Sequence, residues 1–319
     1  MKKLIAITSL ILSVALAPAM AKQDDPADKY PESLLYDKPI KVAKDIYSAI
    51  GALQPYTYAN SGHNNNLSFV IGEKGILVVN GSSSYLLAKA LHDEIKKISN
   101  KPVLYVVNEN GQQHAMLGNN YWKAQGAKII AHVDTVKEIA ATGVDSLLSM
   151  KAYNKEKGEK TELVAIDQTF DKEMTLDLGG ITAKLMYFGP SHSHGDISVY
   201  IPERKVLIAG DIAFHQRMLP IFEDTNTTAW LKTWKDFAAF AQDKIIVPGH
   251  GTVTDFATVD KYTRGYLEYL HTEVRKLLKA GGTLADVGKI DQTAYKKLYT
   301  YNELAVRNAG RVFSELEME

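Results

Sequence analysis

The sequence predicts an α/β fold, a four-layer α/β/β/α sandwich followed by a C-terminal helical extension. Three observations predict it. Short apolar runs separated by turn residues fill both halves of the chain. Helical patterns lie between those runs, and the tail from about Phe256 is helical and charged.

The elements follow in chain order. Leu67–Ile71 and Ile76–Val79 read as strands joined by the turn Gly72-Glu73-Lys74-Gly75. Ser82 to Ser84 can cap a helix over Tyr85–Ile98, where Leu87, Leu91 and Ile95 share a face. Val103–Val107 is an apolar strand running into Asn108-Glu109-Asn110-Gly111. A short helix starts near Asn119, and 128–131 is a strand. In the second half, 174–178 and 181–188 straddle Gly179-Gly180, and 197–201 and 205–209 straddle Pro202-Glu203-Arg204, giving two hairpins. Residues 228–241 read as a helix and 245–247 as a strand ending in Pro248-Gly249-His250-Gly251. Leu267, Leu270, Val274 and Leu277 form one stripe of the C-terminal tail.

Composition bounds the function. The 319 residues are 45% hydrophobic and 23% charged, values of an ordinary globular chain that can bury a sizeable core. Lys+Arg and Asp+Glu balance at 37 each, and no basic stripe with aromatics is visible, which argues against a nucleic-acid partner. There is no cysteine, so disulfides, thiolate ligands and thiol nucleophiles are excluded. Metal chemistry would fall to His, Asp, Glu and water.

Lys2 and Lys3, the apolar run 4–16 and Ala19-Met20-Ala21 form the basic, apolar and small-residue pattern of a secretory signal peptide over residues 1–21. A membrane anchor is the competing reading. The run is shorter than the ~20 residues a span needs, and the polar stretch 22–25 follows it. The expected product is periplasmic or secreted, with no stable membrane anchor after cleavage. Losing Lys2 and Lys3 leaves 35 basic against 37 acidic residues, a net of −2. The expected divisions are an arm over 22–44, a main domain over 45–255 and a helical extension over 256–319.

The chemistry-bearing residues follow apolar strands in glycine-containing loops. His192 and His194 follow Gly189-Pro190; Asp211 follows Gly210; His250 follows Pro248-Gly249; His114 lies in the loop after Val103–Val107. Strand ends converging on one sheet edge are where α/β proteins place ligand sites. Imidazole and carboxylate suit zinc, and also iron or manganese. Each residue has a plainer reading: Asp211 as a turn cap, His250 as a loop histidine, His114 as a filler of space. His194 and His215 are expected to line the pocket, and Arg217 to clamp an anion or make a simple salt bridge. His63, within Gly62-His63-Asn64-Asn65-Asn66, reads as an exposed loop residue, and His92, His132 and His271 read as structural.

Gly189-Pro190-Ser191-His192, Gly195-Asp196, Gly210-Asp211 and Pro248-Gly249-His250-Gly251 together resemble the metallo-β-lactamase superfamily over residues 45–255. The resemblance implies that fold and makes His192, Asp211 and His250 metal ligands. The family's His-x-His-x-Asp-His loop falls at Asn108 to Asn119, and most of it is absent here. One register puts Asn110 and Gln112 at the first two His positions, His114 at the Asp and Ala115 at the last His. Shifted by one residue, Gln113 stands at the Asp and His114 at the last His. Asn80 stands where the family often has an early Asp. The set His114, His192, Asp211 and His250 is then expected to hold one zinc ion per chain, with iron or manganese as alternatives. Asn110, Gln112, Gln113, His194, His215 and Arg217 are expected around it.

Two functions follow. One is a mononuclear metal-dependent hydrolase of a small molecule bearing an ester, lactone, amide or related group. The other is a non-catalytic binding or accessory protein that keeps the pocket. The export pattern makes its own prediction: protein from its native compartment begins at Lys22, and an intact mass that still includes residues 1–21 overturns it.

Overall fold

The computed structural model describes residues 29–318; the expected signal segment 1–21 lies outside the described residues. Among the described residues no helix is long and apolar enough to cross a membrane. The first sheet holds seven strands in sequence order: β1 (Ile40–Ala43), β2 (Ile46–Ala49), β3 (Leu67–Ile71), β4 (Ile76–Val79), β5 (Val103–Val107), β6 (Lys128–His132) and β7 (Gln168–Phe170). β1 to β4 pair antiparallel and β4 to β7 parallel. The second sheet has the order β12-β11-β10-β9-β8, from β8 (Glu173–Asp177), β9 (Thr182–Met186), β10 (Ser198–Ile201), β11 (Val206–Phe214) and β12 (Ile245–His250). The helices are α1 (Tyr85–Ile98), α2 (Gln113–Met116), α3 (Asn119–Ala124), α4 (Val133–Asn154), α5 (Thr227–Ala241), α6 (Phe256–Tyr262), α7 (Arg264–Lys279) and α8 (Tyr301–Leu316).

Strand alternation sorts the side chains into layers. Leu77 and Val79 of β4 meet Leu185, Val199 and Ile208 of the second sheet, forming the core between the sheets. Ile76 and Val78, on the other face of β4, pack on Leu87, Leu91 and Ile95 of α1 and on Trp122 of α3. The outer face of the second sheet, with Leu207, Ala209 and Ile246, takes Trp230, Trp234 and Phe237 of α5. The expected α/β/β/α order therefore holds. Ser84 caps α1, its hydroxyl accepting from the Leu87 N–H at 3.1 Å.

Three features depart from the sequence reading. β1 lies inside the stretch read as an arm, where Leu35 and Tyr36 are buried as well. α4 was not legible, because its buried positions are Thr135, Gly143, Met150 and Asn154 rather than an apolar stripe. β11 continues past Ala209 to Phe214, through register shifts around Gly210.

The C-terminal extension is built into the same core. Tyr266, Leu267, Val312 and Phe313 join Trp230 and Trp234 in one cluster. Buried Asn308 accepts from the Ile221 N–H at 2.9 Å and donates to the Leu219 carbonyl at 2.7 Å. Tyr299 accepts from the Met218 N–H at 2.9 Å. Glu315 accepts from the N–H groups of Thr227 and Thr228, at 2.9 and 2.8 Å, and so caps α5. The loop 217–222 is held in this way by α8 and by the segment before it.

His63 is a correction: it is fully buried, not exposed. Its Nδ1 accepts from the Tyr36 N–H at 2.8 Å, so the turn that looked solvated is covered by the chain's own N-terminal segment. Burial pushes its imidazole down to about 4. The unfolded chain takes up this proton near pH 6.5. The contribution of neutral His63 is therefore complete above that pH and is lost as pH falls from about 6.5 to about 4, by about 3 kcal/mol in all. Urea unfolding of His63→Gln, which does not titrate, is expected to show a shallower loss of stability across this window. Profiles parallel to wild type would overturn the assignment.

Candidate metal centre

Three elements deliver the central side chains to one point. His114 sits in α2 just beyond β5, Asp211 at the irregularity in β11, and His250 at the C-terminal end of β12. One donor atom from each lies within 4.8 Å of the other two, and all three residues are buried. His114 Nε2 is 3.5 Å from Asp211 Oδ2, and His250 Nε2 is 3.4 Å from Asp211 Oδ1. Metal–ligand bonds of about 2.0–2.2 Å in a tetrahedron give ligand-to-ligand edges of roughly 3.3–3.6 Å. The two distances fall in that range, one to each oxygen of Asp211. Asp211 Oδ1 is buried and has no hydrogen-bond partner, as an acceptor awaiting a cation would be.

His192 stands slightly apart. Its Nε2 is 3.9 Å from Asp211 Oδ2, and its ring lies among Phe214, Phe222 and Trp230. It is outside the tight three-residue group and lines the cavity beside it. Burial drives the site towards neutrality without an ion. It pushes the Asp211 carboxyl up to about 8 and His192 down to about 3, and it lowers His114 and His250 too. A buried divalent cation would reverse that balance by favouring the carboxylate and the neutral imidazoles.

Glycines and amides make the geometry possible. Gly210 has φ +70°, and a Cβ there would stand 1.9 Å from Glu109 Oε2. A Cβ on Gly249 would stand 2.0 Å from Asp211 Oδ1. Asn66 donates to the carbonyls of Pro248 and Gly251, at 2.8 and 2.7 Å, holding the loop that carries His250. His250 Nδ1 lies 2.6 Å from the Asn64 carbonyl, which therefore takes its proton and leaves Nε2 free to face Asp211.

The remaining expected residues are spread over the buried centre and two cavities. Asn110 reaches the centre, donating to Asp196 Oδ1 at 3.1 Å and Asp211 Oδ2 at 3.3 Å. Gln112, Gln113, His192 and His194 line a cavity of about 670 Å³. His215 instead contacts the Thr252 carbonyl and faces a second cleft of about 530 Å³. Arg217 is buried beside His250. Ala115 is buried, and its carbonyl accepts from Gly81; it is His114, one residue earlier, that reaches Asp211.

Three residues escaped the sequence reading. Glu109 is buried; its Oε1 accepts from Asn80 at 2.7 Å and lies 3.2 Å from His114 Nε2. An acid two residues past an apolar strand, in the loop already singled out, was the available signal. Asn80 in turn accepts from the Glu109 N–H at 3.1 Å, so its amide answers both the acceptor and the donor of Glu109. Tyr56 lines the larger cavity, with its hydroxyl 3.0 Å from His114 Nδ1. Glu138 of α4 accepts from the N–H groups of Gly111 and Gly195, both at 3.0 Å, and ties the helix to the loops of Asn110 and His192.

With this geometry in place, comparisons with known proteins supply the context. The family model "Metallo-beta-lactamase superfamily" matches residues 114–250, from the first to the last of the three clustered residues. The chain belongs to the metallo-β-lactamase superfamily. It is 24% identical over 227 residues to metallo-beta-lactamase type 2 of Bacteroides fragilis, covering 70% of this chain and 86% of that one. It is 32% identical over 92 residues to a hydroxyacylglutathione hydrolase of Bartonella tribocorum, covering 29% and 36% respectively. Among solved structures, a metallo-beta-lactamase from Pontibacter korlensis superposes with TM-score 0.60 at 17% identity, over 72% of this chain and 98% of that one. A sec-alkylsulfatase from Pseudomonas sp. superposes with TM-score 0.65 at 17% identity, over 87% of this chain and 50% of that one. At these identities the structural likeness establishes the fold.

Asn110 gives a test of the local electrostatics. Asn110→Asp would put a third carboxyl against Asp196 and Asp211 and remove the donor that both accept from. In chelator-treated protein it is expected to cost about 1–3 kcal/mol of stability, read by urea unfolding. An unchanged midpoint would show that Asn110 does not bind these carboxylates.

Proposed function

We propose that this chain is an exported, metal-dependent hydrolase holding one divalent ion, most suitably zinc, and acting on a small molecule with an ester, lactone, amide or related bond. One observation carries the reading: the buried donor atoms of His114, Asp211 and His250 within 4.8 Å of one another, beside a cavity of about 670 Å³. That volume lies within the range of small-molecule sites. Two imidazoles and a carboxylate are a donor set that zinc accepts while keeping a position for solvent. His192, which lines the cavity, is proposed as the fourth, more distant member of the set. The related chains named above carry hydrolase names, which supports the reaction class.

When bound, such an ion supplies Lewis acidity and lowers the pKa of a coordinated water. The chain's own residues do the rest. The Asn64 carbonyl fixes the His250 ring so that Nε2 faces inward. Tyr56 does the same for His114 through Nδ1, leaving Nε2 towards Asp211. Glu109, buried against His114, is the carboxyl placed to hold a proton near the centre. Phe222 and Tyr56 give the cavity apolar walls that exclude water from a bound substrate.

A second reading, a binding protein without turnover, is favoured by one observation. Asn110 occupies with an amide the side of Asp211 where the family's histidine loop would lie. Two measurements separate the readings. His250→Ala is expected to lose most of the bound metal by elemental analysis while keeping its fold, because one of the few ligands is gone; unchanged metal content would refute the site. Wild type with metal bound is expected to hydrolyse a generic ester or lactone at a rate that falls at least about 100-fold in that variant. Metal binding with no hydrolysis across such a panel would select the second reading.

A further inference from the structure

The second cleft, of about 530 Å³, takes no part in the chemistry described so far. Lys29 and Tyr36 of the N-terminal segment, Leu53 beyond β2, and Lys297 and Tyr299 before α8 line it. His215, Gln216 and Thr252 complete it between them. Of its lining residues only His215 and Gln216 lie within 114–250, the stretch that the family model spans, so the cleft is built mainly from what flanks that stretch. No residue lines both this cleft and the larger cavity; Leu53 faces the one and Tyr56 the other.

The cleft is held in a costly shape. Gln216 has φ +63°, in the left-handed region that a residue with a Cβ adopts only under constraint. Two contacts constrain it: its Oε1 accepts from the Thr252 N–H at 3.1 Å, and its carbonyl accepts from the Tyr299 N–H at 2.9 Å. His215 is fixed beside it. Its Nε2 donates to the Thr252 carbonyl at 2.6 Å, and its ring lies against Gly251, where a Cβ would stand 2.4 Å from Cδ2. Backbone strain pinned in this way clusters at sites that clamp ligands.

The lining has a definite chemistry. Two lysines line the cleft and no aspartate or glutamate does. Lys29 lies 3.7 Å from Asp37, an exposed pair that solvent leaves weak. The rings of Tyr36, Tyr262 and Tyr299 and the aliphatic groups of Ile50, Leu53 and Leu298 supply apolar walls. The volume lies within the range of small-molecule sites. Positive charge over apolar and aromatic walls favours a guest with one anionic group on an apolar, ring-bearing body. We infer that this cleft is a second small-molecule site, taking an aryl carboxylate or an anion of like build. The inference goes beyond the hydrolase reading and stands without it, since the cleft shares no residue with the cavity beside the clustered His114, Asp211 and His250.

The test titrates 2-naphthoate into the full chain, chelator-treated so that no metal competes for the carboxylate, and reads binding by calorimetry. Saturable binding is expected, with the neutral 2-naphthalenemethanol at least about tenfold weaker. Thr252→Trp fills the cleft from an exposed position, and the bonds of Thr252 to Gln216 and His215 are made by its backbone. It is expected to abolish binding. Ala141→Trp obstructs the larger cavity from an exposed position on α4 and is expected to bind as wild type does. The pair Lys29→Ala and Lys297→Ala, both at exposed positions, is expected to weaken naphthoate at least about tenfold and leave the neutral probe unchanged. No saturable binding, wild-type affinity in Thr252→Trp, or loss of binding in Ala141→Trp overturns the proposal, the last by placing the probe in the larger cavity. Equal affinity for the two probes overturns it too, since the lysines then read no charge. Should Thr252→Trp not fold, the lysine pair decides: naphthoate affinity equal to wild type there overturns the site. Metal content and ester hydrolysis, measured separately, report on the hydrolase reading alone.

Discussion

The rest of this structure is arranged around one buried carboxylate. Asp211 is 1% exposed at an irregular point of β11, where the strand leaves regular pairing with β12. Left alone, a carboxylate in such a place would give up its charge. The fold surrounds it instead with His114, His250, His192 and Asn110, drawn from three separate segments. Gly210 and Gly249 lack side chains where the close approach leaves no volume for one. Both sheets contribute, because α2 follows β5 of the first sheet and Asp211 and His250 lie on β11 and β12 of the second.

Around that centre the chain uses neutral amides to a degree that changes its electrostatics. Asn80 serves Glu109, Asn110 serves Asp196 and Asp211, and Asn66 serves the His250 loop. An amide both donates and accepts, so it can close a buried network without adding charge. The negative charge is concentrated in Glu109, Asp196 and Asp211, and burial presses all three towards the protonated form. The centre thus has a self-satisfied hydrogen-bond network along one side and an unpartnered oxygen of Asp211 on the other.

Much of the sandwich was readable because its signals are local. β3, β4, β5 and α1 have the bounds that apolar runs and their flanking turns indicate. Asp211 and His250 stood out because each follows a glycine at the end of an apolar strand. The loop after β5 left two registers open, since sequence spacing cannot say which way a short helix turns; His114 reaches Asp211 while the Ala115 carbonyl turns to Gly81. Tyr56 and His63 belong to the turn-rich segment between β2 and β3, which has no periodicity from which to infer burial. α4 was hidden for a related reason, as it carries exposed Val144 and Leu148 and buries Thr135 and Asn154.

The C-terminal helices have a consequence for the order in which the chain acquires its site. A chain made from its N-terminus exposes each residue only after those before it, at about 5–20 residues per second. His114, Asp211 and His250 have all been synthesised well before Tyr299, Asn308 and Glu315, which pin the loop 217–222 and the start of α5. Phe222, beside His192, and Arg217, beside His250, therefore gain their final anchorage only when the last helix arrives. During synthesis the three clustered side chains precede the wall that encloses them, so a nascent chain passes through a stage with those side chains present and its pocket unfinished.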